Sequence, residues 1–125
     1  MRFCTVINCM DGRVQLPVIW YLQRRFQAEY VDSITEPGPN CILANQTDRV
    51  AVESILERLH ISVERHHSAG VAVVGHHDCA GNPAGKEEQN EQTQSALTFL
   101  RRHHSDVPMI GLWLDGDWRV VELGD

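Results

Sequence analysis

Residues 71–81 read Val71-Ala72-Val73-Val74-Gly75-His76-His77-Asp78-Cys79-Ala80-Gly81. The first four are apolar without interruption, the pattern of a strand covered on both faces, as strands of parallel sheets are. Directly behind them the segment Gly75 to Gly81 leaves the strand, carrying two imidazoles, a carboxylate and a thiol. Gly75 and Gly81 are read as permitting tight turns around those groups. Ahead of the run, Gly70 stands where a helix would end. That helix is capped by Thr47 or Asp48, and Val52, Ile55, Leu56, Leu59 and Val63 keep helical spacing along it.

The N-terminal part has the same layout. Phe3-Cys4-Thr5-Val6-Ile7-Asn8 is a short, β-branched run read as a buried first strand, and Cys9-Met10-Asp11-Gly12-Arg13 follows it as a turn. A helix is predicted from Leu16-Pro17 to about Glu29, with Leu16, Ile19, Trp20, Leu22 and Phe26 as its apolar face. Tyr30 to Ile34 is the second strand. Glu36-Pro37-Gly38-Pro39-Asn40 is expected to be a rigid loop, because its two prolines oppose regular structure.

Downstream, a helix over Glu88 to His103 turns Ala96, Leu97 and Leu100 inward. Val107 to Leu114 and Trp118 to Leu123 form a strand pair closed at Asp115-Gly116-Asp117. The resulting alternation predicts an α/β fold: a mostly parallel β-sheet flanked by helices, with an antiparallel C-terminal strand. In open sheets of this kind, ligands bind beyond the carboxyl ends of the strands. Both chemistry-bearing segments, 9–13 and 76–79, lie there.

A length of 125 residues suits one domain over 1–125, and 42% apolar residues suffice for a core. The chain holds 17 acidic against 11 basic residues, a formal charge of -6 with histidine neutral. That balance repels nucleic acid and anionic membrane surfaces, so neither is expected as a partner. The single lysine, Lys86, lies in an acidic, Gly-rich stretch, which argues against Schiff-base chemistry. No apolar run approaches the roughly 20 residues of a membrane span, and the segment before Cys9 is too short for a signal peptide. A soluble, cytoplasmic protein that acts on a small molecule or associates with itself is the expectation.

Four cysteines (Cys4, Cys9, Cys41, Cys79) in a reducing compartment indicate metal ligands or buried thiols rather than two disulfides. Cys9, His76 and Cys79 together offer two thiolates and one imidazole, a donor set that zinc takes readily. Three protein ligands leave a fourth position open, as catalytic zinc sites do. The three-residue spacing of His76 and Cys79 lets one turn present both to one ion. His77, the rival imidazole, should point elsewhere if His76 points at the metal.

These residues also match a family. Cys9-Met10-Asp11-Gly12-Arg13 resembles the C-x-D-x-R motif of the β-class carbonic anhydrases, and His76-His77-Asp78-Cys79 resembles their H-x-x-C motif. Both occur in the expected order and strand context. Ile110-Gly111-Leu112-Trp113-Leu114 and Trp118-Arg119-Val120 are similar to the family's last strands.

The resemblance implies a zinc lyase that hydrates carbon dioxide to bicarbonate by zinc-bound hydroxide, with Cys9, His76 and Cys79 as the Zn2+ ligands. Asp11 would orient the attacking group, and Arg13 would hold Asp11 ionised and off the metal. In some members that aspartate becomes a fourth ligand in an inactive state, an option open to Asp11. A homodimer or higher homo-oligomer is implied as well. Two departures stand out. Thr35 to Asn40 replaces the family's Arg-Asn-Ala-Gly-like loop, and nothing before Phe3 corresponds to its helical arm.

Other functions fit some of the same residues. Zinc hydrolysis of carbonyl sulfide or carbon disulfide would use the same nucleophile, and a non-catalytic zinc-binding module would need only the ligands. Retention of Asp11 and Arg13 favours an enzyme. A thiol redox protein using Cys9 and Cys79 would lack a C-x-x-C pair and leave His76 idle. A phosphatase-type nucleophile requires five residues between cysteine and arginine, whereas three separate Cys9 from Arg13. His66-His67 and His103-His104 are assigned to helix ends, where imidazolium suits the dipole. Cys4 and Cys41 are assigned to packing, and Trp113 and Trp118 to covering the sheet and its hairpin.

Overall fold

A computed structural model describes residues 1–124. The chain runs β1 (Phe3–Cys9), α1 (Gly12–Arg25), β2 (Tyr30–Glu36), α2 (Pro39–Asn45), α3 (Arg49–Arg65), β3 (Val71–His76), α4 (Lys86–Arg101), β4 (Met109–Leu114) and β5 (Val120–Glu122). The strands form one sheet in the order β2-β1-β3-β4-β5. All neighbours are parallel except β4 and β5, which pair antiparallel. This is the α/β architecture predicted from the sequence.

Strand order places the helices. The crossover from β1 to β2 travels one way along the sheet, and those from β2 to β3 and β3 to β4 travel the other. Right-handed crossovers in opposite directions put their helices on opposite faces. Accordingly Val14, Val18 and Leu22 of α1 pack with Cys4, Val6, Ala72, Val74, Leu112 and Leu114 on one face. Ile7, Val71 and Val73 face Leu43 of α2, Val52, Ile55 and Leu59 of α3, and Ala96, Leu97 and Leu100 of α4. The period-2 alternation within β1 and β3 thus feeds two cores.

Several boundaries differ from the sequence-based expectation. Helix α1 begins at Gly12 rather than Leu16, because the Asp11 side chain accepts from the Arg13 N–H and caps it. Its inward stripe is Val14, Val18 and Leu22, spaced four apart on one face, while Leu16 and Trp20 lie off that face at 56% and 54% exposure. Pro17 falls inside the helix, where its missing N–H costs one bond.

Residues 36–40 are not a loop throughout. Glu36 ends β2, and Pro39 occupies the first turn of α2, the helical position where proline is tolerated. Gly38, at φ +64°, makes the left-handed entry. Gly75 serves close approach rather than a turn, since it lies within β3. Helix α4 runs from Lys86 to Arg101 and so starts earlier and ends earlier than expected.

Candidate metal centre

Strand order reverses between β1 and β3, and this is where open α/β sheets build sites. The two strands pair only from Thr5↔Val71 to Ile7↔Val73 and then separate. Cys9 ends β1 and His76 ends β3, so each stands on one lip of the opening crevice. Cys79 reaches the same point from the segment after β3. Asp78 just before it takes a left-handed conformation at φ +57°, which turns the chain back.

One ligand atom from each of Cys9, His76 and Cys79 lies within 4.8 Å of the other two, and all three residues are buried. No other set of three such donors gathers this closely among the described residues. The two sulfurs are 3.8 Å apart. Tetrahedral coordination with zinc–sulfur bonds of about 2.3 Å separates two sulfurs by roughly that distance.

The imidazole is prepared for the same task. His76 Nδ1 lies 2.7 Å from the carbonyl oxygen of His77. A carbonyl only accepts, so Nδ1 carries the proton and Nε2 presents a lone pair. Nε2 is buried and has no hydrogen-bond partner. An orphaned acceptor beside two thiols is a costly arrangement that a bound cation would relieve. Burial and the adjacent Cys9 sulfur push the Cys79 thiol pKa upward, while the N–H groups of Gly81 and Asn82 pull it down. The donor set, tautomer and spacing therefore fit zinc.

Asp11 and Arg13 form the neighbouring group. Arg13 Nη2 is 2.7 Å from Asp11 Oδ2, and Nε reaches both carboxylate oxygens at 3.1 and 3.2 Å. These bonds hold the Asp11 pKa down to about 2 and raise that of Arg13. Arg13 is itself held on three sides. Its Nη1 meets Asp78 Oδ2 at 3.2 Å, its Nη2 meets the Asp78 carbonyl at 3.0 Å, and its guanidinium carbon stacks 4.4 Å from the Trp118 ring.

The sequence-derived residues thus come together, with two additions that sequence alone did not assign. Trp118 braces Arg13 rather than simply covering the hairpin. Gln15 donates to the carbonyls of Cys9 and Asp11 at 2.8 and 2.9 Å and braces the turn between them. His77 is exposed, with its ring near Gly116, and is not part of the close donor trio. Cys4 is core, and Cys41 lies on α2 within reach of Asn45 and Gln92. His66 closes α3 and pairs with Asp32, while His103 and His104 donate backbone N–H groups to Leu100 just beyond α4.

The chain is an α/β sheet protein with a Cys-His-Cys donor trio, able to hold a metal ion, at its switch point. A family model described as "Putative carbonic anhydrase" matches residues 1–124, and the chain belongs to that family. Solved β-carbonic anhydrases share the fold. The tetrameric enzymes of the filamentous ascomycete Sordaria macrospora include one aligned at TM-score 0.57 and 14% identity, over 98% of this chain and 80% of that one. The β-carbonic anhydrase CcaA aligns at TM-score 0.61 and 14% identity, over 99% and 81%. CafA of the fungal pathogen Aspergillus fumigatus gives 0.54 and 12%, over 95% and 74%. No curated protein matches the sequence.

Proposed function

We propose that this protein is a zinc-dependent carbonic anhydrase that hydrates carbon dioxide to bicarbonate, with Cys9, His76 and Cys79 as metal ligands. The observation that carries this is the lone pair of His76 Nε2, buried and partnerless beside two sulfurs 3.8 Å apart. When bound, zinc supplies Lewis acidity and lowers the pKa of a coordinated water toward 7.

The chain's own residues do the rest. Asp11 stays ionised at any physiological pH and accepts a hydrogen bond from the nucleophile, which fixes the direction of its lone pair. Arg13 occupies both Asp11 oxygens and so keeps the carboxylate from becoming a fourth ligand. Trp118 and Asp78 keep Arg13 in that position. The pairing supports a reading in which Asp11 stays off the metal.

The chain acts as a homodimer or higher homo-oligomer. Leu16 and Trp20, one turn apart on α1, form an exposed apolar stripe suited to a second copy. A cytoplasmic location agrees with four unpaired cysteines, and no helix among the described residues is long and apolar enough to cross a membrane. The test is stopped-flow carbon dioxide hydration on zinc-loaded protein. Activity rising with pH is expected, and Asp11→Ala should retain zinc but lose most of that activity. Fully loaded protein inert toward carbon dioxide would refute the assignment and point to carbonyl sulfide, carbon disulfide or a non-catalytic zinc module.

A further inference from the structure

Beyond Ile7↔Val73, strand β3 loses its pairing with β1. Val71 and His77 donate their backbone N–H groups toward β4, to Pro108 and Leu114. By strand alternation, the backbone N–H and C=O of His76 point the other way, into the crevice. Buried backbone groups without partners are rare because they are costly. Those of His76 are satisfied by one side chain, Gln89 of α4.

Gln89 Oε1 accepts from the His76 N–H at 3.1 Å, and Nε2 donates to the His76 carbonyl at 3.0 Å. The side-chain amide thus pairs with His76 as a neighbouring strand would. The same Nε2 reaches the carbonyls of Asn82 at 3.3 Å and Ala84 at 3.0 Å. One amide therefore ties the strand end carrying His76 to the segment that brings back Cys79.

The surroundings are built around that amide. Gln89 is 1% exposed. A Cβ on Gly75 would stand 2.9 Å from Gln89 Oε1 and 2.8 Å from Asn40 Nδ2, so only glycine leaves room for both. Asn40, at the start of α2, donates to Thr93 at 3.2 Å and accepts from Asn82 Nδ2 at 3.1 Å. The unexpected helix α2 thereby closes the amide cluster.

We propose that Gln89 is a positioning residue of the metal centre, which fixes His76 and the Cys79 segment in place before any ion arrives. This rests on the zinc assignment only for its purpose. The geometry it claims exists in metal-free protein and can be read there.

Two variants test it. Gln89→Met removes both hydrogen-bonding functions at similar length, and Gln89→Glu keeps the acceptor but replaces the donor. Ser62→Ala, which removes a buried hydroxyl of α3 bonded to Thr5 near the start of β1, serves as the control for general loss of stability. In metal-free protein, long-range 15N–1H spectra should show the Nδ1–H tautomer of His76 in the wild type and in Ser62→Ala. Both Gln89 variants should lose that single state and show mixed tautomers.

Zinc competition should show binding weakened by roughly 10- to 100-fold in the Gln89 variants and unchanged in Ser62→Ala. If Gln89→Met proves unfolded, Gln89→Glu decides. A folded Gln89 variant with the wild-type His76 spectrum would overturn the proposal. If the wild type takes up no zinc, the functional assignment fails, and the metal-free spectra still decide the role of Gln89.

Discussion

Cys9 Sγ and Cys79 Sγ lie 3.8 Å apart across the crevice, although 70 positions separate them in the chain. Two buried thiolate charges that close repel one another unless a cation sits between them. Metal affinity and folding should therefore be coupled. Zinc at about 100 times its dissociation constant would add about 2.7 kcal/mol. For a chain of this size that raises the unfolding midpoint on the order of 10 °C. Chelation should lower the wild-type midpoint by that amount and leave Cys79→Ser unmoved. Equal responses to chelator in both proteins would remove Cys79 from the ligand set.

Asp11 and Arg13 predict a pH dependence with a definite sign. The folded-state pKa of Asp11 is about 2, below the ordinary carboxylate value near 3.9. Its ionised form therefore stabilises the fold fully above pH of about 4, and that contribution disappears as pH falls toward 2. Carboxyl carbon NMR should place the Asp11 midpoint near 2 and leave no Asp11 inflection in activity between pH 5 and 8, a window taken roughly. Arg13→Gln should return the midpoint to the ordinary range. An unshifted midpoint in that variant would show that Arg13 is not the cause.

Arg13→Lys keeps the charge and loses the two-pronged geometry that holds both Asp11 oxygens. Hydration activity should fall by roughly 10- to 100-fold with zinc content unchanged. Activity assays on metal-assayed protein separate this outcome from simple metal loss, which would instead make Arg13 a support for the ligands.

Gly38 bears on Cys79 from a distance. At φ +64° any Cβ is strained, and here it would stand 2.8 Å from the Gly81 carbonyl oxygen. Gly38→Ala should destabilise the fold by about 1–2 kcal/mol from the left-handed backbone alone, with the collision in addition. Displacing Gly81 also disturbs an N–H group that lowers the Cys79 pKa. Chemical denaturation and zinc competition should both register the change, and a variant indistinguishable from wild type in both would contradict this packing.

Trp20→Glu puts a charge into the exposed stripe of α1 and should shift the oligomer toward monomer in light scattering, with helix content unchanged. A wild-type protein already monomeric at micromolar concentration would exclude this face as an interface.

The β-strands and the donor trio were legible because their signals are local. A short β-branched run marks β1 and an unbroken apolar run marks β3, and thiol, imidazole and carboxylate stand directly behind them. What escaped depends on tertiary context. Asp11 stands in the sequence as a site residue, and its carboxylate also caps α1 and sets the helix start at Gly12. With Val14 inside the helix, the buried stripe runs Val14-Val18-Leu22 and leaves Leu16 and Trp20 outside it. Pro39 opposes a helix interior but suits a first turn, so α2 was hidden in a proline-rich segment. Gln89 is one polar residue among many at a polar helix start, with no local signal that sets it apart. Only the loss of β1 pairing beyond Val73 gives its amide a backbone to bind. Trp118 likewise gains its partner, Arg13, only once β5 folds back beside β4.

The most direct test of the central claim is zinc K-edge X-ray absorption on purified, zinc-loaded protein. The account predicts one ion per chain with two sulfur neighbours at about 2.3 Å, and one imidazole nitrogen and one further light atom at about 2.0–2.1 Å. A first shell without sulfur, or a protein that takes up no zinc, would contradict it.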